Sequence, residues 1–140
     1  MATSEYAIEC RGITKTFGSV VANDQVDLTV RYGEVLALLG ENGSGKTTLM
    51  NMLSGIYHPD AGTIKIAGKE VTIGSPEDAM ALGIGMIHQH FKLIDVFTAS
   101  ENIAVGTPGK RLPARVMREK VKEISHSIGL EIDPDRRAFE

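Results

Sequence analysis

The chain has 140 residues, of which 42% are hydrophobic and 24% charged, and a formal net charge of −3. That length is one ordinary domain, and that composition is globular and excludes disorder of the whole chain. No long basic run offers a nucleic-acid surface, and no segment approaches the ~20 apolar residues of a membrane helix.

One cysteine, Cys10, cannot form an internal disulfide, and the first twenty residues hold no apolar run of signal-peptide length. A cytoplasmic chain in a reducing compartment is expected. Residues 6–10 alternate and predict a strand, with Cys10 buried in it rather than reactive. Val26, Leu28 and Val30 alternate with Asp27 and Thr29, predicting a half-buried strand that ends at the Tyr32-Gly33 turn. Val35, Leu36, Ala37, Leu38 and Leu39 are consecutive apolar residues, the pattern of a strand buried on both faces in a parallel sheet. A glycine-rich stretch follows. Leu49, Met50, Met52 and Leu53 then predict a helix over 47–54, closed by Gly55 with Pro59 beyond. Ile64, Ile66, Val71 and Ile73 around Gly68-Lys69 predict a hairpin. Ser75 is an N-cap, Pro76 the first helical residue and Asp78 the third after the cap, with Gly83 as the stop. Residues 84–87 predict a further short strand. Thr98 and Glu101 make a second capping box whose helix Gly106 closes. Met117, Val121, Ile124 and Ile128 predict an amphipathic helix over 114–128, ended by Gly129. The expected division is an α/β part over 1–90 and a helical part over 91–140.

Gly40-Glu41-Asn42-Gly43-Ser44-Gly45-Lys46-Thr47 matches G-x-x-x-x-G-K-[ST] between a buried strand and a helix. Four fixed positions would match by chance in roughly one chain of this length in a hundred. Glycines at Gly40, Gly43 and Gly45 let the main chain curl so that its N–H groups form an anion nest, and the helix adds the positive end of its dipole. Lys46 is expected on the β- and γ-phosphates of a nucleotide, the Thr47 hydroxyl on Mg²⁺, and Thr48 on the α-phosphate side.

With these residues in view, the chain resembles the nucleotide-binding subunit of an ATP-binding-cassette (ABC) transporter. Lys15-Thr16-Phe17-Gly18 stands where the family places an aromatic that stacks on adenine, which implies that role for Phe17. The segment Leu53–Ile64 resembles the family's LxGxxxPDxGxI, with a structural role. Met86-Ile87-His88-Gln89-His90 resembles the glutamine loop, which implies that Gln89 contacts Mg²⁺ and the attacking water. Phe97–Ile103 resembles TxxENI. His88 and His90, two apart, share a strand face, but no third ligand is near, and they are read as polar loop residues rather than a metal pair. The run SPEDAMALGIGMIHQHFKLIDVFTASENI is similar to importers of nucleosides and simple sugars, whose ATPase subunit is a tandem of two cassettes.

The resemblance implies a P-loop NTPase fold: an α/β, ABC-type nucleotide-binding domain, truncated, with an antiparallel β part and the start of the helical subdomain. It implies ATP and Mg²⁺ as ligands, with the loop residues Gly40, Asn42, Gly43, Ser44, Gly45, Lys46, Thr47 and Thr48 holding the phosphates. The implied partners are membrane permease subunits, a second cassette and, indirectly, an extracytoplasmic solute-binding protein. The implied location is the inner face of the membrane, with Phe91, Leu93 and Phe97 as apolar anchors for the permease or as internal packing. No LSGGQ-type run and no apolar strand ending in Asp-Glu occurs in the 140 residues. The chain alone is therefore expected to bind ATP without hydrolysing it, and to leave the apolar run at 35–39 exposed. Two other readings stand beside this one. A small-molecule kinase would need charged residues after the loop to hold a second substrate. A non-catalytic nucleotide-binding piece would associate with a full cassette.

Overall fold

In the computed structural model, which describes residues 4–88, 93–107 and 112–138, a two-residue Gly18-Ser19 turn joins β1 (Tyr6–Phe17) to β2 (Val20–Arg31). The pair is antiparallel, running from Tyr6 opposite Arg31 to Phe17 opposite Val20. Both strands are longer than their alternation predicts. Register shifts lie between Cys10 and Ile13 and again between Ile13 and Lys15, and each breaks the period of two that marks a strand. The bulge is stitched by Asp27, whose Oδ1 accepts the Gly12 N–H at 2.7 Å.

β3 (Ala61–Ile66) and β4 (Lys69–Val71) add the predicted hairpin, giving an antiparallel sheet in the order β2-β1-β3-β4. Helix α1 (Lys46–Leu53) buries Leu49, Met52 and Leu53, which meet Cys10, Ile13 and Ile64 of the sheet together with Ile73 and Ala79. Ile13 and Met52 are wholly buried, and removal of such side chains from water is worth about 1.5–3 kcal/mol each. α1 ends as its sequence predicts. Gly55 takes φ +75°, Gly55 N–H donates to Met52 O at 3.2 Å and Ile56 N–H to Asn51 O at 2.9 Å. This is a Schellman closure. Helix α2 (Pro76–Ala81) starts on Ser75, whose Oγ accepts the Asp78 N–H.

Two predicted strands are corrected. Residues 35–39 form no strand, and Val35 and Leu39 are 98% and 90% exposed. A parallel strand needs neighbours on both sides, and the described sheet pairs only β1 to β4. Residues 84–87 likewise form no strand.

Contacts divide the chain into two units, Met1–Met86 and Ile87–Glu140. The second is built on α3 (Ala99–Gly106) and α4 (Ala114–Ser127). α3 begins with a complete capping box between Thr98 and Glu101. α4 buries Met117, Val121 and Ser125, so the inner stripe advances by fours. Ile124 and Ile128, expected inside, are 53% and 63% exposed. The Ser125 hydroxyl is tolerated inside because it donates to Lys122 O at 3.0 Å. The 134–138 segment returns to the start of α3, where Ala99 N–H donates to Arg136 O at 2.9 Å and Ala138 N–H to Phe97 O at 3.0 Å.

Candidate functional site

The three helices that begin in described chain with a polar or glycine cap differ at their N-termini. α2 and α3 each have a side-chain cap and an acidic residue in the first turn. α1 has neither: its cap is Gly45, at φ +84°, with no side-chain bond and no acid in the first turn. A helix start leaves N–H groups without intrahelical partners and carries partial positive charge. At α1 that end faces the Gly40–Ser44 loop undimmed by any carboxylate of its own first turn.

The loop is drawn together by its lysine. Lys46 Nζ donates to Gly40 O at 2.7 Å, to Glu41 O at 2.6 Å and to Ser44 Oγ at 3.1 Å. The ammonium thus rests on oxygens of the same loop, and a polyphosphate oxygen would be a stronger partner for it than a carbonyl. Asn42, Gly43 and Ser44 are exposed around it, Thr47 is exposed in the first turn of α1, and Thr48 is half-buried.

Gly45 is fixed by sterics as well as by its backbone angle. A Cβ there would lie 2.1 Å from Ala22 O and 2.9 Å from Asn23 Nδ2. The glycine-rich loop therefore backs directly onto β2. Asn23 makes that contact: it is 6% exposed, its Nδ2 donates to Gly45 O at 3.3 Å, and its Oδ1 is buried without a protein partner. The sequence reading missed Asn23, because one polar residue in an irregular stretch carries no periodic signal.

Phe17 stands at the tip of the β1–β2 hairpin and is 43% exposed, so it is not core. Its ring meets that of Tyr57 edge-on, with centroids 5.2 Å apart and planes at 69°. Lys15 Nζ lies 5.5 Å from the same ring centroid. Behind them, Asp60 takes Lys15 Nζ at 2.7 Å, Thr16 N–H at 2.7 Å and the Thr16 hydroxyl at 2.8 Å. These bonds, Lys15 first and Thr16 after it, hold the Asp60 carboxyl down at about 2.

In the second unit Leu93 is 56% exposed and lines an open cavity of about 530 Å³ with Ile103 and Ile132. Phe97 is half-buried. Gln89, His90 and Phe91 lie outside the described residues. Among the described residues no group of three or more His, Cys, Asp or Glu is placed to hold a metal.

Comparison with protein families matches residues 23–139 to the ABC transporter family. The chain belongs to that family.

Among curated ABC relatives, the guanosine import ATP-binding protein NupO of Bacillus subtilis is 49% identical over 137 residues, which are 96% of this chain and 27% of NupO. The nucleoside import ATP-binding protein NupA of Lactococcus lactis is 48% identical over 94% of this chain and 27% of its own length. This chain therefore spans about a quarter of the curated relatives it matches. Among solved structures, the ADP conformation of MJ1267, an ATP-binding cassette of an ABC transporter, superposes with a TM-score of 0.81 at 28% identity, covering 98% of this chain and 59% of that one. A nucleotide-free ATP-binding cassette of another ABC transporter gives a TM-score of 0.76 at 26% identity, covering 96% and 58%. The expected ABC-type cassette fold is thus found, as a partial cassette with an antiparallel sheet. Among the described residues no helix is long and apolar enough to cross a membrane.

Proposed function

We propose that this chain binds ATP through the Gly40–Thr48 loop and serves as the nucleotide-holding front of a transport ATPase that energises import of nucleosides or simple sugars. The observation that carries the reading is the bare N-terminus of α1 beside the Lys46 ammonium. It combines unpaired N–H donors, a helix dipole and a movable cation at one end of one helix. Gly40, Asn42, Gly43, Ser44 and Gly45 supply the curled main chain, Lys46 the charge on the β- and γ-phosphates, and Thr48 a hydroxyl toward the α-phosphate. Phe17 stacks on the base. Mg²⁺ is a hard cation that takes oxygen ligands; the Thr47 hydroxyl and Gln89 are the groups assigned to it, and when bound it offsets charge on the phosphates.

The solute class rests on the relatives named for guanosine and nucleoside import. Permease subunits, a second cassette and a solute-binding protein are the proposed partners, at the inner face of the membrane. Gln89 couples nucleotide state to the permease, and Phe91, Leu93 and Phe97 contribute apolar contacts to that junction. The 1–90 part holds nucleotide and the 91–140 part begins the coupling subdomain.

Calorimetric titration tests the reading. Lys46→Ala removes a charge-assisted contact and lowers ATP affinity by about 10- to 100-fold. Unchanged affinity in that variant would defeat the proposal. Gln89→Ala spares binding and impairs transport in the complete transporter; wild-type transport would remove Gln89 from its role.

A further inference from the structure

Phe17 is unusual among the large exposed side chains of the first unit in being restrained from more than one direction. An exposed ring on the last strand residue before a two-residue hairpin turn would ordinarily sample several rotamers. Here Tyr57 abuts it edge-on at 5.2 Å and the Lys15 ammonium stands over it at 5.5 Å, yet 43% of the residue stays open. Edge-to-face ring pairs and cations over rings each stabilise by about a kcal/mol, enough to favour one ring orientation.

Neither contact is free-standing. Lys15 keeps its place because Asp60 binds its Nζ at 2.7 Å, and the same carboxylate grips the main chain one residue before Phe17 through Thr16 N–H and Oγ1. Asp60 N–H in turn donates to Thr14 O at 2.8 Å, so Asp60 is bonded to β1 at three successive residues. Tyr57 is placed by the end of α1, where its N–H donates to Asn51 O at 3.1 Å. The other end of that helix is Gly45 and the phosphate loop.

We propose that Tyr57 and Asp60 are positioning residues for the Phe17 ring, holding it as a fixed platform for the base of the nucleotide whose phosphates lie on the Gly40–Thr48 loop. Neither residue touches the nucleotide; Tyr57 sets the ring's edge, and Asp60 sets its backbone and the Lys15 cation. The inference rests on the proposed stacking of the base on Phe17, and the test keeps the two apart.

The test compares ATP with inorganic tripolyphosphate, which has no base, by calorimetric titration of the full 140-residue chain. The readout is the ratio of the two affinities relative to wild type. Phe17→Ala lowers that ratio if the base stacks there; an unchanged ratio removes the platform itself, and the inference with it. Given that fall, Tyr57→Ala and Asp60→Asn are each expected to lower the ratio by about three- to tenfold, with tripolyphosphate affinity at the wild-type level. Tyr57→Phe keeps the ring edge and restores the ratio. A ratio at wild type in both Tyr57→Ala and Asp60→Asn, while Phe17→Ala falls, overturns the positioning role. A parallel loss for both ligands overturns it too, because it marks general damage to the fold. Should Asp60→Asn fail to fold, Thr16→Val removes one of its grips alone and carries the same expectation.

Discussion

Asn102 holds the main chain of Ile94 from both sides: its Oδ1 accepts the Ile94 N–H at 2.8 Å, and its Nδ2 donates to the Ile94 carbonyl at 3.1 Å. The same Nδ2 reaches Phe97 O at 3.3 Å and Thr98 O at 3.2 Å. One amide at the start of α3 therefore pins the 94–98 segment that precedes it. With the Thr98–Glu101 capping box, this gives the Thr-x-x-Glu-Asn pattern a physical purpose in this chain.

Asn102→Ala removes that clasp and leaves main-chain groups to find water. The expected cost is about 1–3 kcal/mol, confined to the second unit. Amide hydrogen exchange checks it: Ile94 loses protection by that margin, while amides of β1 and β3 keep theirs. Unaltered exchange at Ile94 would show the clasp to be energetically idle.

Gly45 and Gly55 separate damage to the loop from damage to the fold. Gly45→Ala drives a methyl to 2.1 Å from Ala22 O, and Gly55→Ala drives one to 2.2 Å from Ser75 O; both also sit at positive φ. Strain and overpacking together cost about 2–4 kcal/mol at either place. Both variants lower the denaturation midpoint, and at temperatures where each remains folded only Gly45→Ala loses ATP affinity. Equal nucleotide affinity in the two would contradict the placement of the phosphate loop against β2.

Cys10 is expected to be inert while the chain is folded. Burial first, and the nearby Asp27 charge second, push its thiol up to about 11, and it has no exposed surface. At pH 8 only about one thiol in a thousand is ionised, against roughly one in four for a free cysteine. The native state keeps its proton while the unfolded thiol loses it, so this group lowers stability as pH rises from about 8.5 toward 11. A disulfide reagent should label Cys10 only after denaturant is added. Rapid labelling of native chain would refute the burial.

Asp60 makes the acid limb steeper. Its carboxyl lies at about 2 in the fold and near 3.9 when unfolded. The unfolded state thus takes up its proton first as pH falls. The stability from this group is complete above about pH 4 and drains away toward pH 2. Denaturation followed from pH 6 to pH 2 should show a smaller decline in Asp60→Asn than in wild type. Parallel acid limbs would mean that the contacts to Lys15 and Thr16 do not persist in solution.

Much of this was legible in the chain because the signals were local. Helix ends at Ser75, Thr98, Gly55 and Gly129 follow from caps and stops, and the curled loop ahead of α1 from its glycine spacing. The strands read less well. β1 and β2 carry bulges at residues where Asp27 reaches across to Gly12, and a period of two cannot be counted through a bulge. The Gly18-Ser19 turn gives no clear signal for the same reason, since it joins strand ends whose alternation the bulges break. Val35–Leu39 failed differently. Five apolar residues state a demand for burial, and only tertiary neighbours can meet it; the described sheet does not. Tyr57 and Asp60 mark only the close of one element and the start of the next in the sequence, because their link to Phe17 joins residues about forty positions apart.

Helix α1 has eight residues, about 12 Å of axial rise, and its two ends carry the Gly40–Gly45 loop and the turn that delivers Tyr57. A helix of that kind behaves as a gear tooth count. One inserted residue advances the far end by only about 1.5 Å but swings it by about 100°, which points Tyr57 away from Phe17 while the Gly45 end stays where it was. Conservative substitutions along the exposed side of α1 leave the meshing intact; insertions and deletions of a single residue do not.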